Sequence, residues 1–235
     1  IDSSKGDCQW LKTADDRDVI RKHALGSFRD LVRASALSPA MLWYLDGRVN
    51  RKAQGDDKPN ENFARELLEL HTLGVHGGYT QQDVMEASRA LTGWSVRSEE
   101  WFGKGLVEFI PRFHDDGEKT VLRQTIPAGL GERDIDALLD IAVGHPATAR
   151  HIATKLCRKF ICDDPAEASI AAVTESFSAS SGDIRQTLRA VFAAEEFQSA
   201  SHAIVKRPFR FVVSALRGTG AVSDSSGSRS ADSPT

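Results

Sequence analysis

The sequence predicts a mostly α-helical, bundle-like domain with one short β-hairpin insertion near residues 106–122. Three observations carry that prediction. Apolar residues recur at helical spacing through most of the chain, as in Ile135, Leu138, Leu139 and Ala142. Ser, Asp, Asn or Pro stands in front of these stripes and Gly often behind them, the residues that start and stop helices. One stretch breaks the pattern: Leu106-Val107-Glu108-Phe109-Ile110, then Arg112-Phe113-His114, Asp116-Gly117 and Thr120-Val121-Leu122 alternate and turn like short strands.

The elements follow in order. Val19 to Leu31 reads as a helix before a turn, and Ser38-Pro39 caps a helix that buries Met41, Leu42 and Leu45 until Asp46-Gly47. Residues 50–59 are polar and read as an exposed loop. Pro59 and Asn60 open the next helix and Gly74 closes it; at about 100° per residue, Phe63, Ala64, Leu67, Leu68 and Leu70 share its buried arc. His71 falls inside that arc, so it needs a side-chain hydrogen bond. Thr80 to Asp83 resembles a capping box for a helix with Val84, Ala87 and Leu91 inward, ended by Gly93. Trp94 follows as a core plug or a pocket wall. Beyond the insertion, the helix starting at Pro146 turns Ala149, Ile152, Ala153, Leu156 and Phe160 inward. Asp164-Pro165 starts one that buries Ile170, Val173 and Phe177, and Asp183 caps another with Ile184, Leu188 and Val191 inward. Pro208 begins the last, with Phe209, Val212, Val213 and Leu216 inward. Residues 1–218 therefore read as a single helical domain and 219–235 as a disordered, low-complexity tail.

A chain of 235 residues buries one substantial core or two small ones. A net charge of −3 gives no bulk electrostatic case for nucleic acid or an anionic membrane. No apolar run approaches the roughly 18 residues that span a bilayer. Three cysteines, Cys8, Cys157 and Cys162, make neither a disulfide framework nor a zinc knuckle. A chain that begins with Ile in polar sequence reads as a fragment of a longer protein or as a processed product.

Two segments concentrate chemistry. On the Asn60 helix, Glu61, Asn62, Arg65, Glu66 and Glu69 lie opposite the apolar arc. They form either a solvated face stitched by i,i+4 pairs or a polar wall turned toward a pocket. In the insertion, His114-Asp115-Asp116-Gly117-Glu118-Lys119 gathers a histidine, carboxylates and a lysine about a turn; such groups serve acid–base chemistry or a metal. Arg150, Lys155, Arg158 and Lys159 give the Pro146 helix a basic side that is either solvated or an anion clamp. Serine-hydrolase, nucleotide-loop, dinucleotide and His-Glu-x-x-His motifs are missing from the sequence. It specifies neither a metal nor a cofactor.

Several of these stretches resemble one family. His23-Ala24-Leu25-Gly26-Ser27-Phe28-Arg29-Asp30-Leu31, Ser38-Pro39-Ala40-Met41 with Tyr44-Leu45-Asp46, and Asn60 to Trp94 resemble its blocks in order. So do His114-Asp115 with Lys119, His145 to Ala149 with Lys155, Leu156 and Phe160, and Lys206 with Pro208 to Arg217. The family is DUF1800, bacterial proteins of unknown function, and the chain resembles the carboxy-terminal part of a member. The resemblance implies export to the periplasm or exterior and a co-encoded exported partner of sulfatase-like type. It brings no catalytic residues. Two functions are expected on these grounds. One is an exported hydrolytic enzyme with Glu61, Glu66, His114 and Asp115 as catalytic groups and Arg65, Lys119, Lys155 and Arg158 binding substrate. The other is a non-catalytic binding or assembly partner of the co-encoded protein.

Overall fold

Helices build most of the described protein. The computed structural model describes residues 1–2, 4–97, 105–199 and 207–221. They fall into two units, Ile1–Ala200 and Ser201–Thr235. In the first unit α1 (Cys8–Asp15) runs through a π-helical segment, Asp16–Ile20, into α2 (Arg21–His23). Next come α3 (Phe28–Ala36), α4 (Pro39–Tyr44), α5 (Asn62–Glu66) with a second π-helical segment at Leu67–His71, and α6 (Gln81–Ala90). Four short strands, β1 (Trp94–Val96), β2 (Val107–Phe109), β3 (Lys119–Val121) and β4 (Gln124–Ile126), precede α7 (Asp134–Gly144), α8 (Pro146–Phe160), α9 (Glu167–Ala179), α10 (Ile184–Ala193) and α11 (Glu195–Ser199). The second unit contributes α12 (Pro208–Gly218). Phe209, Val212 and Leu216 on α12 are exposed rather than inward, because a lone helix has no second face in its own unit to bury them against. Most of the expected tail, from residue 222 on, lies outside the described residues.

Local sequence sets the helix starts. Ser27 and Ser38 accept the backbone N–H groups of Asp30 and Met41, and Thr80 with Asp83 forms a complete capping box. Asn60 Oδ1 accepts the N–H of Asn62 at 2.9 Å, so α5 begins where its sequence predicts. The main core joins Phe28 and Val32 of α3, Leu42 of α4, Phe63 of α5, Leu67 of the π-helical segment after it, Val84 of α6 and Ile135, Leu138 and Leu139 of α7. A smaller one holds Ala153, Cys157, Ile161, Ile170, Val173 and Val191 between α8, α9 and α10.

The end of α5 departs from expectation. Phe63 and Leu67 are buried, but Leu70 is 47% exposed. The i→i+5 turn at Leu67–His71 is wider than an α turn, which swings the following side chains out of phase with the buried arc. His71 is half-buried, and among the described residues its side chain has no hydrogen bond, contrary to the sequence expectation. Gly74, at φ +86°, closes the helix by donating to the Leu68 carbonyl.

The insertion forms two antiparallel ribbons rather than one hairpin. β2 pairs back with β1, placing Trp94 opposite Phe109, while β3 pairs with β4, placing Lys119 opposite Ile126. Strand alternation turns Lys119 and Val121 toward the core and Thr120 to solvent. The two-residue loop of the second ribbon has Leu122 at φ 51° and Arg123 at φ 64°, both in the left-handed region. That is the geometry of a type I′ turn, which Asn-Gly fills at least cost. Leu122 packs against the core, which offsets its strain; Arg123 is exposed. Arg123→Gly should therefore raise stability by about 1 kcal/mol in urea unfolding; an unchanged or lowered midpoint would refute strain at this turn.

Candidate functional site

The insertion and the start of α7 place three ionisable side chains in the core. Lys119, Asp134 and His114 are 1%, 1% and 4% exposed. Lys119 is driven inward by its register in β3, and Asp134 opens α7 at the strand's inner face. Lys119 Nζ lies 2.5 Å from Asp134 Oδ2 and donates to the carbonyls of Asp115 and Gly117 at 2.5 and 2.7 Å. Three acceptors surround an ammonium that has three donors. His114 Nε2 is 3.2 Å from the same Asp134 oxygen. Both approaches to Asp134 lie off hydrogen-bond angles, so the carboxylate is held by charge and proximity. His114 Nδ1 sits 2.9 Å from the Thr92 carbonyl, an acceptor only, so this nitrogen carries a proton. Thr92 Oγ1 donates to the Arg89 carbonyl and accepts the N–H of Asp115.

Asp115 turns the other way. Its carboxylate takes a two-point grip from Arg89, Nε at 2.7 Å and Nη2 at 3.1 Å, and Arg89 Nη1 also reaches Glu86 at 2.7 Å. The Arg89 hydrogen bonds hold the Asp115 carboxyl below the usual range, against the opposing effect of burial. Glu86 further accepts from Gln82 Nε2 and the N–H of Thr120. Glu86, Gln82 and Thr120 of this network line a polar cleft of about 610 Å3, together with Asp83, Glu118, Arg123 and His145. His145 caps α8, its Nδ1 accepting the N–H of Ala147, which leaves Nε2 as the donor. Asp83 is committed to Thr80 and to the N–H of Leu122. Glu118 and Arg123 are exposed, and neither has an ion-pair partner among the described residues. The arrangement offers a polar ligand donors at Arg123 and His145 and acceptors at Glu118 and Glu86.

The residues singled out from sequence do not gather in one place. His114, Asp115 and Lys119 are brought together, but around a buried ion pair. Glu61 and Arg65 form a half-exposed pair at 2.8 Å, closed into a triangle by Gln81. Glu66 is half-buried, and among the described residues no hydrogen bond or ion pair joins it to His114, Asp115 or the basic side of α8. Arg150 instead pairs with Glu167 at 2.6 and 2.8 Å, Lys155 donates to the Leu70 carbonyl, and Arg158 is exposed. Sequence reading missed Asp134, Arg89 and Glu86. Asp134 reads as an ordinary acid in the first turn of a helix, and only the inward phase of Lys119 signals that a buried partner is needed. It also missed Asn50, buried, which donates to the Ser88 carbonyl and accepts the N–H of Asn60. No group of three or more metal-ligating side chains occurs among the described residues.

The chain matches the family described as Protein of unknown function (DUF1800) over residues 1–233. It belongs to that family. Neither the curated proteins nor the solved structures contain a match to it. In this DUF1800 chain, then, the His114, Asp115 and Lys119 motif builds a buried junction, and the solvent-facing chemistry lies in the cleft above it.

Two predictions test the junction. Lys119→Met or Asp134→Leu alone should cost about 3–5 kcal/mol, because each leaves a buried charge unpaired, and the double variant should recover much of the loss. Urea midpoints that simply add across the double-mutant cycle would show the pair is not coupled. The second concerns acid. Asp115 and Asp136 have lowered folded pKa values, chiefly through Arg89 and Arg33, so their contribution is complete above the ordinary carboxylate value and is lost as pH falls through the folded values. His71, its pKa lowered by burial and then by Lys155, is favoured neutral, and its contribution is lost as pH falls below the ordinary histidine value. Stability of this DUF1800 protein should therefore decline in two stages, below about pH 6.5 and below about pH 4. Arg89→Met should flatten the lower stage alone; an unchanged lower slope would remove Asp115 from the account.

Proposed function

We propose that this chain is a non-catalytic binding or assembly module, exported from the cell, for a co-encoded exported protein of sulfatase-like type. One observation carries the reading: the charges of its strongest motif are spent on the fold. His114 and Lys119 converge on buried Asp134, Asp115 is gripped by Arg89, and Glu61 is paired with Arg65. A hydrolytic centre needs a base within reach of a solvated substrate, and these groups face inward or one another. The surface assigned to the partner is the cleft rim, where Glu118 and Arg123 stand exposed.

A hydrolytic enzyme is the second reading, favoured by the cleft itself, where His145 and Glu86 line a cavity of about 610 Å3. In it the catalytic groups move from the motif residues to the cleft.

The two readings part in one set of measurements. The chain is co-purified with the sulfatase-like protein encoded beside its gene, and binding is measured by calorimetry. A stoichiometric complex weakened about tenfold or more by Glu118→Lys with Arg123→Glu supports the module. Turnover of chromogenic sulfate, phosphate or carboxylate esters by the purified chain, abolished in folded His145→Ala or Glu86→Gln, would replace it with the enzyme.

A further inference from the structure

On another face of the first unit, a lysine without a carboxylate borders an apolar groove. Two cavities of about 210 and 350 Å3 share Ile20, Phe28, Leu31, Ile152 and Lys155 as walls. The smaller reaches His71, and the larger runs on past Phe160. Among the described residues no carboxylate lines either of them. Lys155 Nζ donates to the Leu70 carbonyl at 3.1 Å, and among the described residues it has no ion pair.

We propose that this groove binds a single-chain anionic amphiphile, a long-chain carboxylate, with its tail along Phe28, Leu31 and Ile152 and its head on Lys155 Nζ. The two adjacent lobes, with five wall residues in common, suit a chain better than a compact ring, and each further buried methylene of the tail adds to binding. The head group follows from the charge. Among the described residues Lys155 is the one cation lining both lobes, a point charge suited to one carboxylate, whereas phosphate and sulfate recognition favours several donors or an arginine fork. His71, favoured neutral by burial, places a hydrogen-bonding edge in the smaller lobe without adding charge. The proposal is independent of the binding module proposed above: it uses α3, α8 and α10, not the cleft over β3 and β4.

The test uses cis-parinaric acid fluorescence on the whole chain, displaced by laurate and by dodecanol of equal length. Laurate should bind about tenfold tighter than dodecanol. Lys155→Met should erase that difference, and Lys155→Arg should keep it. Ile152→Trp, which fills the shared wall, should weaken both ligands by a similar factor, with melting and circular dichroism confirming that the variant folds. Equal affinity for acid and alcohol in the unaltered chain, or a preference that survives Lys155→Met, overturns the proposal. So does a concentration-dependent dimer in light scattering that Ile152→Trp dissolves, since the groove would then belong to a second copy of this chain.

Discussion

Taking an ammonium and a carboxylate out of water is tolerable only when they go together, and the Lys119–Asp134 pair imposes that condition on everything around it. Their side chains are 0% and 1% exposed. Separately, each would carry a desolvation cost that few local contacts offset. The pair pins the β3 register, because a slip of one residue would turn Lys119 to water and Thr120 inward. It also fixes where α7 begins, and Ile135, Leu138 and Leu139 of that helix are all fully buried. The same carboxylate receives His114, whose backbone lies so close to Gly93 that a Cβ there would come within 3.0 Å of the His114 Cβ. Gly93 at φ +90° is thus the hinge that lets α6 run into β1 beneath the histidine. Helix, ribbon and histidine meet at one ion pair.

How much of this was legible in the sequence depended on range. The helix starts at Ser38, Thr80 and Pro146 are local facts, written in two to four adjacent residues, and they were read correctly; Ser27, which caps α3, was instead read as the interior of a helix from Val19 to Leu31. So was the mostly helical class, since apolar period needs no knowledge of partners. The second ribbon was hidden because its turn uses Leu122 and Arg123 where Asn-Gly would have announced it. The exposure of Leu70 was hidden because a π turn leaves the sequence period intact while shifting the phase. The fate of the His114–Lys119 motif depended on Asp134, fifteen or more residues away in sequence. Charge composition alone does not tell a site from a junction. What decides it is whether each donor finds an internal acceptor, and that is a property of the assembled fold.

With the motif charges accounted for, the surfaces left unexplained are of opposite character. The cleft over β3 and β4 presents exposed Glu118 and Arg123 beside His145. The groove against α3 is apolar apart from a few polar walls such as Lys155 and His71. Both are reached from α8: His145 caps its N-terminus, and Ile152, Lys155 and Phe160 face the groove further along. The small side chains Ala149, Ala153 and Cys157 are the buried ones, so α8 packs closely on the body and holds both surfaces at fixed separation. A rigid common element positions two surfaces without making one respond to the other; coupling would require a second arrangement of α8.

The remaining question is why the run Leu67-Leu68-Glu69-Leu70-His71-Thr72-Leu73-Gly74 has the form it does if it performs no chemistry. Its geometry supplies a reason. After α5 the widened turn frees the Leu70 carbonyl from a helical partner and aims it at α8, where it meets Lys155 Nζ at 3.1 Å and His151 Nε2 at 3.4 Å. Thr72 Oγ1 folds back to the Leu67 carbonyl at 2.6 Å, satisfying a group that the irregular turn would otherwise orphan. At Gly74 a Cβ would come within 2.6 Å of His151 Nδ1, so only glycine allows the chain to pass that ring. Leu70, Thr72 and Gly74 thus each meet a demand made by docking a non-α turn against a second helix. Chemistry is not required to explain it, and the same docking leaves Lys155 bound to a neutral carbonyl rather than to a carboxylate, with its charge still unanswered at the edge of the groove.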